Sequence, residues 1–299
     1  MTMTLGSFPR LLEPGIRSIF GASYKEHPLY STRIFETRNS TKNAETSVQI
    51  TGMGLARRKE SGAEITMDNA KQGYSNRVVH TTWALGYRIT EEAREDNQYK
   101  ETIGKLTPML ARSMRTTKEI VGHNLLNRAF NGSYTFGDGV ALCSNAHPTE
   151  AGNQSNVAAI SADISDAALR AMYYQARQAK DDKGLPIDVS LRNIIAPITK
   201  ELEIKEILKS SKLVNTNYNN INVWNDGLIK GVICTPYLTS ASAWFVQTDV
   251  SDGLIMYKRK GLVIDVDTDF LTKDVVVTAR ERYSHTCNDW RAIYGNAGV

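Results

Sequence analysis

Thr107-Pro-Met-Leu-Ala-Arg-Ser-Met-Arg-Thr-Thr-Lys-Glu-Ile-Val-Gly-His-Asn-Leu-Leu-Asn-Arg-Ala-Phe-Asn131 is the stretch whose reading organises the chain. Together with Ile103 and Leu106 just ahead of it, Leu110, Met114, Val121 and Leu125 recur at three- and four-residue steps, with Thr117 filling the gap. That spacing predicts one face of a helix. Arg112, Arg115, Lys118, Glu119 and Arg128 fall mostly on its other sides. Thr107 reads as an N-cap with Pro108 in the first helical position, and Asn131-Gly132 as the stop. At ~1.5 Å per residue this is a rod of about 35 Å. Thr90 to Lys105 is helical in pattern too, with Glu91 and Glu92 at its positive end. The middle of the chain is therefore expected to hold a kinked or paired helical spine.

Composition sets the frame. A chain of 299 residues with 41% hydrophobic and 23% charged residues can bury a substantial core, in one large or two small domains. No apolar run approaches the ~20 residues of a membrane span. The first residues have neither the basic nor the apolar region of a signal peptide. Cys143, Cys234 and Cys287 are far apart and odd in number, which argues for a reducing compartment rather than a disulfide framework. The net charge is +4, and residues 1–43 carry six basic residues against three acidic ones. A basic arm of this kind either is solvated or touches nucleic acid or an acidic partner.

Residues 1–43 show no sustained period. Pro9, Pro14, Gly15, Gly21 and Pro28 interrupt them, yet Phe8, Leu11, Leu12, Ile16, Ile19 and Phe20 are too apolar for a free tail. An irregular arm anchored on its own domain or on a neighbouring chain is expected. Residues 44–89 read as a long two-stranded excursion. Val48 and Ile50, then Ile65 and Met67, alternate with polar residues on either side of a polar turn, Arg57 to Ala63. Such a hairpin is too poor in large side chains to stand alone. Trp83, Leu85, Tyr87 and Ile89 alternate cleanly and root it in the body.

After the spine comes a glycine-rich connector, Asn131 to Gly139, then Ala141-Leu-Cys-Ser-Asn-Ala-His-Pro148. Residues 160–250 change style. Ser165 caps one expected helix and Thr199 a second, Leu191–Pro197 reads as a buried strand, and further strands are expected at 228–234 and 244–247. This is the pattern of a compact α/β unit. Towards the end, Ile264, Val266, Thr268 and Phe270 alternate with aspartates and turn into Val275–Tyr283. Pairing Phe270 with Val275 sets Asp265 opposite Arg280.

Catalytic and metal signatures are thin. Cys143 and His147 lie four apart and allow a hydrolase reading, nucleophile and base, with no third orienting group evident. Asp265-Val-Asp-Thr-Asp269 opens like a calcium loop, but Phe270 and Val276 stand where glycine and glutamate are needed. The sequence shows no phosphate-cradling loop or dinucleotide fingerprint, so no cofactor or metal is expected. His27, His80, His123 and His285 are scattered and read as surface or satisfied core groups. Arg57-Arg-Lys59 is the densest basic cluster, either a solvated turn or an intermolecular contact.

The order of parts resembles the major capsid proteins of tailed bacteriophages, with the Hong Kong 97-like fold. The resemblance rests on Gly86-Tyr-Arg-Ile-Thr-Glu-Glu92, Ala141–Pro148, Asn193-Ile-Ile-Ala-Pro197, Asn219-Asn-Ile-Asn222, Leu238-Thr-Ser-Ala-Ser-Ala-Trp-Phe245 and Asp289-Trp-Arg291, in this order over roughly residues 80–295. It implies an α+β fold with an N-terminal arm (1–43), an E-loop hairpin (44–82), a peripheral domain with the spine (83–157), an axial α/β domain (158–250) and return strands of the peripheral domain (251–299). It implies a non-enzymatic shell protein of the virion capsid, assembled in the host cytoplasm. Pentamers and hexamers of the chain itself would close an icosahedral shell around packaged double-stranded DNA, bound non-specifically. A portal and decoration proteins are further implied partners, and an arm beginning near Met1 implies a separate scaffold protein. The E-loop tip, Arg57, Arg58 and Lys59, would meet acidic groups of a neighbour, with Glu91, Glu92, Glu95 and Asp96 as candidates. Some relatives carry a lysine–asparagine cross-link. Lys59 and Lys71 lie in the E-loop, but no matching asparagine or glutamate is identified, so that chemistry is not carried over. A hydrolase using Cys143 and His147, or a nucleic-acid-binding protein acting through the basic arm, are the alternative functions.

Overall fold

The computed structural model describes residues 8–26, 29–95, 99–212 and 221–299. Its longest element is the spine, α4 (Tyr99–Asn127), 29 residues and about 43 Å at ~1.5 Å per residue. Pro108 lies inside this helix rather than at its start. Thr107 is no cap either: it is fully buried, and its hydroxyl shares a hydrogen bond with the Tyr87 hydroxyl at 2.7 Å. A proline in a helix interior costs ~3 kcal/mol. Here Ile103 ahead of it and Leu110, Ala111 and Met114 behind it enter the same core, so burial on both sides carries the helix through. The helical pattern expected over Thr90–Lys105 is met by α3 (Glu91–Glu95) and the first turns of α4, and the spine ends at Asn127, four residues before Asn131.

Three apolar cores meet this rod or lie beyond it. Beneath its first half, the spine packs on a sheet ordered β1-β8-β9-β4, made of β1 (Glu36–Asn39), β8 (Leu254–Thr268), β9 (Val275–Cys287) and β4 (Thr81–Ile89). Against spine and sheet lies α1 (Phe8–Lys25), with Ile16 and Phe20 buried in the subunit's own core. The expectation of an irregular arm is corrected here. Pro9 and Pro14 do not prevent an 18-residue helix, because one amphipathic face has a groove to fill. In the sheet, Asp265 is opposite Thr278 and Val263 opposite Arg280, a register two residues away from the expected one. The Asp265–Arg280 pair still forms, diagonally, at 3.6 Å.

A second sheet, ordered β10-β7-β5-β6, carries an α/β unit. Here β5 (Leu191–Pro197) lies between β6 (Gly231–Thr235), parallel to it, and β7 (Trp244–Thr248), antiparallel. Helix α5 (Asp166–Arg177) starts at Ser165, whose hydroxyl accepts from Ala168 N. Helix α6 (Glu201–Lys209) is preceded by a 3-10 turn, so Thr199 does not cap it and instead donates to Ala241 O at 3.4 Å. Leu169, Met172, Ile204, Ile207, Trp224 and Trp244 close that core. The strand β10 (Ile293–Asn296) pairs with β7. The end of the described chain thus returns to this second sheet.

Between the two sheets the chain is tied by Asn156, fully buried. Its amide nitrogen donates to the carbonyls of Leu142 (2.8 Å), Ile293 (3.0 Å) and Trp290 (3.2 Å). Its side-chain oxygen accepts from Ser144 N (2.8 Å) and His147 Nε2 (3.0 Å). Next to it, Arg291 bonds Lys180 O and Asp182 and stacks over Trp290, whose other ring partner is His147 at 4.3 Å.

The second half of the spine departs from the apolar pattern. Val121 and Leu125 are only half-buried, and Glu119, Gly122, His123 and Leu126 turn inward instead. Glu119 is 1% exposed. Its carboxylate accepts from Ser31 N at 3.0 Å and from the Ser31 hydroxyl, capping α2 (Ser31–Ile34). His123 Nδ1 donates to Glu119 O, while its Nε2 and both His285 nitrogens have no hydrogen-bond partner among the described residues. His285 is therefore an unsatisfied core group and His123 a half-satisfied one. Burial lowers the His123 pKa, and burial reinforced by Lys118 and His123 pushes His285 down to about 3.

Two measurements check these features. Asn156→Ala strands several buried groups, each costing ~1–3 kcal/mol, and should lower stability by about 3 kcal/mol or more in urea unfolding. In the seam, both histidine pKa values lie below the unfolded value of 6.5, so the stability they allow is present above pH 6.5 and is lost as pH falls towards their folded values. Glu119, raised by burial, opposes this only near its own range. Melting temperature should therefore fall between pH 6.5 and about 4, with a shallower fall in His285→Phe.

Candidate intersubunit surface

The E-loop is built on β2 (Ala44–Ile50) and β3 (Gln72–Val79), an antiparallel pair with Ala44 opposite Val79. Its root is fixed from the body. Tyr74 donates to Asn288 O at 3.2 Å and packs edge-on against Phe136, while Asn76 donates to Thr286 Oγ1 and Cys287 O. Gly137 lets the connector approach closely, since a Cβ there would lie 2.9 Å from the Tyr74 ring. His80, between β3 and β4, bridges Ser284 and Ser40. Further out, Thr51 and Lys71 close the hairpin by backbone and hydroxyl bonds. Lys71 pairs with Glu150 at 3.0 Å, and Lys183 holds Asp68 at 2.8 Å. Lys183, with Gly54 N–H also donating, lowers Asp68 to about 2.

Beyond that clamp the loop leaves the body. Ile50, Met53, Leu55, Ile65 and Met67 are exposed, a row of apolar side chains of the kind that marks an interaction surface. The strand expected through Ile65 and Met67 is not formed within the chain; β3 begins at Gln72. Arg57, Arg58 and Lys59 are exposed at the tip, and among the described residues only Arg58 is in an ion pair, with its neighbour Glu60 at 3.4 Å. Glu91 and Glu92 open α3, at the far end of β4. Glu95 closes that helix, and Asp96 lies outside the described residues. The subunit itself does not bring the basic and acidic groups together in an ion pair among its described residues.

The other candidates are spoken for. His147 is held by Asp138 at 2.5 Å on Nδ1 and by Asn156 on Nε2, so neither nitrogen is left for Cys143. Asp138 is an orienting group that sequence spacing did not reveal, because it acts through a fold of the connector. The Cys143 thiol is buried and pushed up by that burial, the opposite of an activated nucleophile. All three cysteines are free. Much of the basic charge of the arm is used internally. Arg17 donates to Ile264 O, Arg33 to Val232 O, and Arg38 pairs with Glu36 and Asp252.

A family model described as phage capsid protein matches residues 74–296. The chain belongs to the phage capsid protein family. No curated protein matches it. Among solved structures, the virus-like particle from Pyrococcus furiosus superposes with a TM-score of 0.55 at 11% identity, covering 94% of this chain and 97% of the other. The procapsid of bacteriophage JBD30 gives 0.53 at 12%, covering 99% and 75%. The capsid of a native GTA particle gives 0.53 at 11%, covering 90% of each chain. At these identities the likeness establishes the fold, which is Hong Kong 97-like. With the family match, the chain is a tailed-phage major capsid protein, the self-assembling subunit of the virion shell, and its family is a structural one.

In this capsid subunit the thiols serve packing. A triple Cys→Ser variant should lose stability, about 1–3 kcal/mol for each hydroxyl buried without a partner, yet still assemble; shells that need a disulfide would contradict this.

Proposed function

We propose that the subunit assembles into pentamers and hexamers that close an icosahedral shell around packaged double-stranded DNA, with the E-loop as the hook between neighbours. The observation that carries this is the loop itself. It is rooted at Tyr74, Asn76 and Asp68, yet beyond Thr51 and Lys71 it leaves a set of apolar side chains and the basic tip exposed. A surface segment that a subunit anchors but does not bury gains its energy only from a second molecule. In this reading the arm, E-loop, spine-bearing and axial parts act as the domains of a shell protein without enzymatic activity. The basic tip, Arg57, Arg58 and Lys59, faces acidic groups of the next subunit, Glu91, Glu92, Glu95 and Asp96 among them. The subunit would further meet a separate scaffold, a portal and decoration proteins during assembly in the host cytoplasm.

Replacing Arg57, Arg58 and Lys59 together by Glu tests the hook. These side chains are exposed, so circular dichroism and melting should be unchanged. Placing like charges at every contact costs on the order of 1 kcal/mol per contact, repeated around the shell, and negative-stain images should lack closed particles. Normal yields of closed particles would show the tip to be a solvated turn.

A further inference from the structure

The arm helix, the spine and the turn after β6 enclose a groove of about 590 Å³. On the spine, Lys105, Met109, Arg112 and Thr116 follow one another at steps of three and four and share one face of α4. Lys105, Met109 and Arg112 are exposed, and no acidic residue occurs between Lys105 and Thr116. Into the groove Ser23, Tyr30, Arg112, Arg115, Thr116 and Tyr237 bring two guanidinium groups, two aliphatic hydroxyls and two phenols. Tyr30 and Tyr237 pack edge-on, with ring centroids 6.2 Å apart. Arg112 makes no ion pair or hydrogen bond among the described residues. A cation that the subunit exposes and leaves unpaired raises the local concentration of anions around it. Lys25, in the last turn of α1, adds to the positive charge. Glu26 beside it is the acidic residue that lines the groove, and it opposes that charge.

We propose that this groove holds the sugar–phosphate backbone of packaged double-stranded DNA, with Lys105 and Arg112 each on a phosphate. This rests on the packaged-DNA reading above and names the side of the subunit that meets the DNA. The donor set is the one that phosphate and sugar contacts use: arginine and lysine, with serine, threonine and tyrosine hydroxyls as neutral donors. Lys105 and Arg112 are two helical turns apart, about 10 Å at ~1.5 Å per residue. At ~3.4 Å per charge that distance spans about three phosphates of one strand. The spine face lies along a strand rather than across base edges, so binding is independent of sequence. An enclosed genome is also the polyanion that a shell holds against every subunit at once. Glu26 subtracts from the attraction, so removing its charge must strengthen a contact with DNA.

The test uses the full-length subunit and a short fluorescent DNA duplex, followed by anisotropy from about 50 to 200 mM salt. Lys105→Ala/Arg112→Ala should flatten the slope of log affinity against log salt by about 1.8, at ~0.9 per phosphate contact. The loss should be equal on duplexes of unrelated sequence. Glu26→Gln should act in the opposite sense, with a several-fold gain in affinity at constant salt. An unchanged slope in the double variant, or unchanged or weaker binding by Glu26→Gln, overturns the proposal. All three side chains are exposed, so melting temperatures should match the wild type; if the double variant melts early, Glu26→Gln decides alone. Ultraviolet cross-linking of the wild-type complex should place nucleotide adducts on Tyr30 or Tyr237, and adducts confined to other peptides overturn the assignment. The double variant should still close shells in negative-stain images. Closed shells with unchanged DNA binding sink the groove and leave the shell reading standing. Lost closure with unchanged DNA binding makes the groove a protein contact and overturns the proposal as well. The shell reading fails separately, if the wild-type protein forms no closed particles.

Discussion

A single side-chain amide holds the two halves of this capsid subunit in register. Asn156 reaches the connector through Leu142, Ser144 and His147, and the closing segment through Trp290 and Ile293. Carbonyls on one side fix which end of the amide is nitrogen, and this leaves its oxygen facing His147 Nε2. The His147 ring is thereby oriented towards Asp138 and flat on Trp290. Arg291 continues the chain of contacts to Asp182 in the α/β unit. Buried polar networks of this kind specify one arrangement because a partial version leaves several groups unpaired at once. The two sheets share no strand, so this network and the apolar junction around Phe35, Leu126, Phe245 and Ile293 set their relation.

The spine performs two jobs along one helix. Its first half is an apolar lever pressed on the sheet and α1. Its second half is polar inside, with Glu119 capping α2, His123 turned inward and His285 packed against Phe35 and Gly122. The change of character falls where the helix leaves the sheet and enters the junction. The E-loop is rooted in that same region, through residues 284–288 of β9 and its end.

Periodicity made much of the fold legible. Leu191–Pro197, the alternation through Trp83–Ile89 and the Ser165 cap stand where their residues place them. Local rules failed where tertiary burial outweighed them. Pro14 and Pro108 read locally as boundaries, yet Pro108 sits inside a helix whose apolar face is buried on both sides of it, and Pro14 inside one held by the buried Ile16 and Phe20. Glu119 looked like a surface charge, since nothing nearby in sequence announces Ser31, 88 residues away. The exit of β10 to the second sheet was hidden for the same reason. For the candidate surface, the cluster at Arg57–Lys59 was visible as charge. The anchoring of the loop by Asp68, Tyr74 and Asn76 depends on partners more than a hundred residues distant and carries no local signal.

That distance has a consequence for biosynthesis. The groups that fix the root of the hook, Thr286 and Cys287, follow Asn76 by 210 and 211 residues. At roughly 5–20 residues per second, a ribosome reaches them about ten to forty seconds after it has made the loop. Until then the hook is a slack tether without a defined direction. A nascent chain therefore carries a hairpin without a fixed direction, and that direction is set only when β9 and the segment that follows it have been made.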